Sequence, residues 1–231
     1  MAGGEVEGLP FRLRVGVTGH RRLDRGVDWA AWVAKGLAVI RAALSPAPGT
    51  PLAWSVVSSL AEGADRLVAE VILQEPGSRL EVPLPLPAEE YLADFASGAS
   101  KASFKNLLGR ADVIVSPPRF DSREAAYEWA GRTMVRRSDV VIALWDGKPA
   151  RGIGGTASIV DFACRQGRAV VHIHTEGELG VEILAANPDE APDSPAARRA
   201  SEVASALHAA RALGEAPALH DLRADSEVAE D

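Results

Sequence analysis

At 231 residues the chain is long enough for one α/β domain with a sizeable core, or for one domain plus a tail. The formal net charge of −7 argues against a protein that works by neutralising nucleic-acid phosphates, and a single cysteine, Cys164, excludes an intrachain disulfide and fits a reducing compartment. No apolar run approaches membrane-spanning length and the N-terminus lacks a signal-peptide pattern, so a cytoplasmic protein without membrane contact is expected.

Strand and helix patterns then alternate along the chain. Arg12 to Thr18 reads as a first strand. Asp28 is placed to cap a helix whose Trp29, Trp32, Val33, Leu37, Ile40 and Leu44 share one face, and the Pro46 to Pro51 stretch ends it. Trp29 and Trp32, leading that face, are expected to be mostly buried. Ala53 to Ser58 is a second strand, followed by a helix that runs from about Asp65 to near Gln74. Arg79 to Leu84 gives a third strand, Glu89 to Leu108 a helix broken near Gly98, and Ala111 to Val115 a fourth strand. Ser122 to Arg137 reads as a helix. Val140 to Leu144 is wholly apolar, as in a strand buried on both faces of a parallel sheet. A Gly-rich loop then leads into a helix over Ser158 to Cys164, and Ala169 to His174 is a sixth strand. Cys164 lies in that apolar helical run and reads as a small buried hydrophobe.

This alternation predicts an α/β fold, a Rossmann-like three-layer sandwich with a mainly parallel sheet, over residues 1–184. Residues 185–231 read as an appendage. Within it, Asn187 to Pro195 is a Pro- and Asp-rich linker, and Ala196 to Leu213 an Ala-rich helix with Val203, Leu207 and Ala210 in a narrow stripe. The final residues form an acidic tail, expected to be disordered. The stripe suits a surface-docked helix or a contact with a second copy of the chain, which makes a homo-oligomer an expected assembly.

Ligands of open α/β sheets bind beyond the C-terminal strand ends, and the polar loops there supply the candidates. The first loop carries Gly19, His20 and Arg21, with Gly19 for a tight turn and His20 and Arg21 for a phosphate or base; a solvated basic loop is the alternative. The second runs from Ser58 through Glu62 and Gly63 to Asp65; Glu62 is a candidate for ribose hydroxyls, and Asp65 reads either as a site carboxylate or as a helix N-cap. The third, Ser116 to Arg119 with Tyr127 and Arg132 on the next helix, offers groups that stack on a base, although Tyr127 reads equally well as packing. The fourth contains Asp146, Gly154, Gly155 and Thr156. Glycines there admit a ligand to the backbone, and a helix N-terminus favours phosphate. His172 and His174 share one strand face, yet no carboxylate or cysteine stands at ligand spacing in the sequence, so no metal and no cofactor is expected. A nucleophile elbow, a P-loop lysine and a G-x-G-x-x-G fingerprint are all absent.

Over roughly Leu13 to His174 the sequence resembles the SLOG superfamily, the LOG- and DprA-like Rossmann nucleotide-binding proteins. The likeness rests on Leu60 to Glu70 (LAEGADRLVAE), on Gly131 to Met134 followed by Ser138 to Leu144, and on Gly154 to Thr156. The second half is also similar to nucleoside 2-deoxyribosyltransferases, through Asp146-Gly147 and Gly155 to Ala157. Both resemblances imply a nucleotide-derived small molecule at this sheet edge. In both groups a glutamate about three residues after the threonine serves chemistry at the N-glycosidic bond; here that position is Ile159. Only Arg132 lies near the Met of the LOG pattern, where an Arg-Lys pair is implied. An oxocarbenium-like state needs a carboxylate, so keeping the phosphate frame while losing the glutamate favours binding without cleavage. A sensor or binding protein for a nucleotide or ADP-ribose-like ligand is therefore expected first. A nucleotide N-glycosidase (phosphoribohydrolase) or nucleoside deoxyribosyltransferase, with Glu62 or Asp65 as displaced catalytic carboxylate, is the alternative. A DprA-like nucleic-acid role or a purely structural partner comes after these.

Overall fold

A computed structural model describes residues 11–44, 51–149, 154–184 and 195–212. The linker over 187–194, the acidic tail, Gly152 and most of the proline breaker lie outside the described residues.

The sequence alternation resolves into β1 (Phe11–Gly19), α1 (Trp29–Ala43), β2 (Leu52–Val57), α2 (Ala64–Ile72), β3 (Arg79–Pro83) and α3 (Ala88–Tyr91). These are followed by α4 (Gly98–Leu108), β4 (Val113–Val115), α5 (Arg123–Arg136), β5 (Val140–Trp145), α6 (Thr156–Arg165), β6 (Ala169–His174), β7 (Val181–Leu184) and α7 (Pro195–Ala212). The strands form one seven-stranded sheet in the order β4-β3-β2-β1-β5-β6-β7, parallel except for the β6–β7 pair. The fold is thus the expected α/β sandwich. Strand order reverses between β1 and β5, whose ladder runs from Val15 opposite Val140 to Gly19 opposite Leu144. Among these residues Val140 to Leu144 are fully buried, as a strand covered on both faces requires.

Two apolar clusters clothe the sheet. Leu13, Val15, Ile142, Val171 and Ile173 pack with α1 and α2, whereas Val141, Ala143 and Val170 pack with Met134 of α5 and with Ile159 and Phe162 of α6. Asp28 caps α1 through a bond from the Ala31 amide, Ser97 caps α4 and Ser122 caps α5. Trp29 is buried; Trp32 is only half-buried, with the Lys35 ammonium 4.0 Å from its ring centroid.

Several boundaries differ from the sequence reading. The helix expected over Glu89 to Leu108 divides into α3, a 3-10 turn at Leu92–Asp94 and α4, because Phe95 leaves the helical region before Ser97 starts a new helix. Strand β4 begins at Val113 and α2 ends at Ile72. Helix α6 starts two residues early, at Thr156. The short antiparallel β7 has no counterpart in the reading, since four residues show too few alternations to declare a strand.

Helix α7 docks on α1 and on β5 to β7. Ala200, Val203, Ala204 and Leu207 are buried, and Arg199 donates to the Arg12 carbonyl while lying 3.2 Å from Asp139. Asp139 in turn accepts from the Arg14 amide at 2.8 Å. Leu207→Ala is therefore expected to lower stability by about 2–3 kcal/mol, the cost of a cavity in a helix that relaxes on one side. A urea midpoint equal to that of the parent would show that α7 adds nothing to the core.

Candidate functional site

The strand order reverses at β1 and β5, the place where open α/β sheets form a ligand crevice beyond the C-terminal strand ends. Three of the predicted loops meet there. The His20 amide donates to the Leu144 carbonyl at 2.9 Å, and the Ala64 amide donates to the His20 carbonyl at 3.0 Å, so the β1 loop is tied to both β5 and the start of α2. Across the crevice the Asp146 amide donates to Nε2 of His20 at 3.1 Å. An Asp146 carboxylate oxygen lies 3.4 Å from the same Nε2. Partial desolvation pushes the Asp146 carboxyl up, but the Lys148 amide, His20 and the Lys148 ammonium outweigh it and hold the group below the usual carboxylate range. Gly19 and Gly63 stand at points of close approach. A Cβ on Gly19 would lie 2.5 Å from the Ala64 Cβ and 2.6 Å from the Leu144 carbonyl oxygen.

The second loop is polar and half-sealed. Ser58 is fully buried and its hydroxyl donates to Asp65, either to the carbonyl at 3.2 Å or to the carboxylate at 3.3 Å. The carboxylate also accepts from the Ala61 amide. Burial is the largest influence on Asp65 and raises its carboxyl to about 6, against the lowering effect of these hydrogen bonds and of Arg21 and Arg66. Gly63, not Asp65, occupies the N-cap of α2; Asp65 is the second helical residue, which disposes of the capping alternative. Glu62 accepts from the Ser100 hydroxyl at the start of α4, and the same hydroxyl and carbonyl of Ser100 receive Arg66 at 2.8 and 2.9 Å. Glu62 is thus half-buried and positioned by α4.

Arg21 stands over the ring of Tyr127, 5.4 Å from its centroid, and Tyr127 meets Tyr91 edge-on. Among the described residues the buried hydroxyls of Tyr91 and Tyr127 have no hydrogen-bond partner. Neighbouring this aromatic group at the ends of β3 and β4 is a cleft of about 390 Å³, lined by Pro85, Leu86, Pro118, Arg119, Phe120 and Arg123. That cleft contains the third predicted loop, and its size lies in the lower range of small-molecule sites.

In the fourth loop Gly154 has φ +79° and lies against the Glu128 backbone of α5. Gly155 is the N-cap of α6 and, lacking a side chain, makes no capping hydrogen bond of its own to the first amides of the helix. Thr156 opens the helix. Arg132 takes a different place: it pairs with Glu128 at 2.6 Å and lies over Phe162, on the contact between α5 and α6. His20, Gly63 and Asp146 therefore form one group, Ser58 and Asp65 a second beside it, and Arg132 stands apart on a helix contact.

Tertiary structure adds a cluster that the sequence hid. β7 places Glu182 directly opposite His172, and one ligand-capable atom from each of His172, His174 and Glu182 lies within 4.8 Å of the others. The premise that these histidines lack a carboxylate partner is corrected by β7. Burial holds His172 below the ordinary histidine range.

Among the described residues no helix is long and apolar enough to cross a membrane. The sequence matches no protein-family model, and comparison with the curated proteins finds no significant relative.

Proposed function

We propose that the protein binds a nucleotide or ADP-ribose-like ligand at the C-terminal edge of the sheet and acts as a sensor or ligand-binding protein rather than as a catalyst. The observation that carries this reading is the bridge between His20 and Asp146 at the reversal of strand order, where α/β sheets hold their ligands. The start of α6, with glycine at its N-cap, supplies amides and a positive helix end for a phosphate. Gly19 and Gly63 let the β1 loop, β5 and the start of α2 approach one another closely at this edge, and Arg21 on Tyr127 offers a cationic and aromatic surface for a base. The position of the family glutamate holds Ile159, which is buried against Gly131 and cannot stabilise an oxocarbenium ion.

Gly155→Asp separates this reading from a merely structural glycine turn. Aspartate is a good N-cap, so the variant keeps or strengthens α6 while placing a carboxylate where the phosphate would sit. Calorimetry against a panel of nucleoside monophosphates and ADP-ribose is expected to find binding to the parent protein. The variant should lose at least about tenfold in affinity, or 1.4 kcal/mol, with native circular dichroism. An affinity equal to the parent's would remove the phosphate role of α6.

A second reading, nucleotide N-glycosidase or deoxyribosyltransferase, is favoured by one observation: Asp65 is buried beside the crevice with its carboxyl raised to about 6, a value suited to proton transfer near neutrality. Base release from the same panel decides between the two. Retained ligand without free base supports the binding protein; release abolished by Glu62→Gln or Asp65→Asn would replace it with the enzyme.

A further inference from the structure

The geometry points to a transition-metal site built by His172, His174 and Glu182, taking a borderline divalent ion of the zinc class. This inference is independent of the nucleotide reading, because none of the three residues belongs to the crevice between β1 and β5.

Two histidines two residues apart on β6 project from the same face, and their rings stack with centroids 4.1 Å apart. The antiparallel register puts Glu182 of β7 across from His172. Its carboxylate already stands 3.4 Å from Nε2 of His174. Donor atoms around a tetrahedral zinc ion with bonds of about 2.0–2.1 Å are separated by about 3.3 Å. The widest separation in the cluster, 4.8 Å, closes by side-chain rotation of His174 and Glu182, which are respectively 34 % and 42 % exposed.

The hydrogen bonding of His172 prepares it as a ligand. Its Nε2 lies 2.9 Å from the Trp145 carbonyl, which only accepts, so Nε2 carries the proton and Nδ1 keeps its lone pair. A ligand histidine typically donates its second ring nitrogen in this way, and the bond sets both tautomer and ring orientation. Trp145 packs beside the same ring at 5.2 Å between centroids, which restrains it further. All three ligands sit on paired strands, a stiffer base than a loop. Two neutral imidazoles and one carboxylate make a donor set that suits zinc over magnesium or calcium, and the exposed side of His174 and Glu182 leaves room for water in the remaining position.

The test uses the full chain without an affinity tag, freed of metal by a chelator. Cobalt(II) is added and followed by its visible absorption, and zinc is titrated by calorimetry. About one equivalent is expected to bind in the micromolar range or tighter, with no displacement by millimolar magnesium. His174→Ala and Glu182→Gln should each weaken zinc binding by at least about tenfold. His208→Ala, on α7 over the opposite face, should leave it unchanged. Circular dichroism of each variant checks the fold, and both altered side chains are exposed enough to be replaced without opening the core. The proposal is overturned by a parent protein that takes up neither metal, or by zinc binding that both ligand variants leave intact.

Discussion

Gly63→Ala is expected to destabilise the protein by about 3–5 kcal/mol, from backbone strain and overpacking together. Gly63 has φ +79° and ψ −123°, a combination closed to residues with a Cβ. A methyl group there would also lie 2.4 Å from the His20 carbonyl oxygen and 2.5 Å from that of Arg21. Those atoms are backbone, held by the bonds of His20 to Leu144 and Ala64, so they cannot turn aside as a side chain would. In a domain of this size such a loss lowers Tm by roughly 10–15 °C. Gly77→Ala is the matched control: it too has a positive φ, of +68°, but nothing lies within 4 Å of its added carbon, so only about 1 kcal/mol is at stake. Thermal unfolding of the two variants side by side checks the prediction. Equal shifts would mean that strain alone acts and that the β1 loop is free to move away from α2.

The second large effect concerns pH. Asp65 has its carboxyl raised to about 6 in the folded protein, from an ordinary value of 3.8. The folded state therefore holds this proton more tightly than the unfolded chain does. Between about pH 4 and pH 6 it binds more protons, and its stability falls as pH rises through that window. Above it the buried carboxylate costs on the order of 2–3 kcal/mol. Asp65→Asn removes the charge at every pH. Its amide oxygen can still accept from Ala61, and the Ser58 hydroxyl retains the Asp65 carbonyl as an acceptor. The variant is thus expected to exceed the parent in stability at pH 8 and to match it near pH 4. Denaturant unfolding at both values measures the difference, and other titrating groups cancel in the comparison. A gap that does not change with pH would show that the carboxylate is solvated or paired in the folded state. A group kept in the chain at such a cost to stability belongs among the candidates for function, beside the crevice that His20 and Asp146 close.

Much of this arrangement is legible in the sequence. The run Val140 to Leu144, apolar at every position, reads as a strand buried on both faces, and the regular alternation around it implies a parallel sheet. Asp28 announced a helix start because capping is a local affair between a side chain and an amide two or three residues away. Once the alternation was recognised, the loops at the C-terminal strand ends followed by topology, including Gly19, His20, Gly63 and Asp146. What the residue pattern could not contain was any contact between segments distant along the chain. The His20–Asp146 bridge joins residues 126 positions apart, and it exists because β1 and β5 are neighbours in the sheet. Arg132 illustrates the converse: its place near a stretch that resembles a LOG motif suggested the site, but the packing of α5 on α6 directs it to Glu128 and Phe162. Glu182 entered beside His172 and His174 only through the register of a four-residue strand. Asp65 became unusual through burial, at the start of α2 among Ser58, Ala61, Arg21 and Arg66. Local periodicity and capping thus determined the elements and their layers, whereas desolvation, register and strand order, which are properties of assembled segments, decided which side chains meet and what they can do.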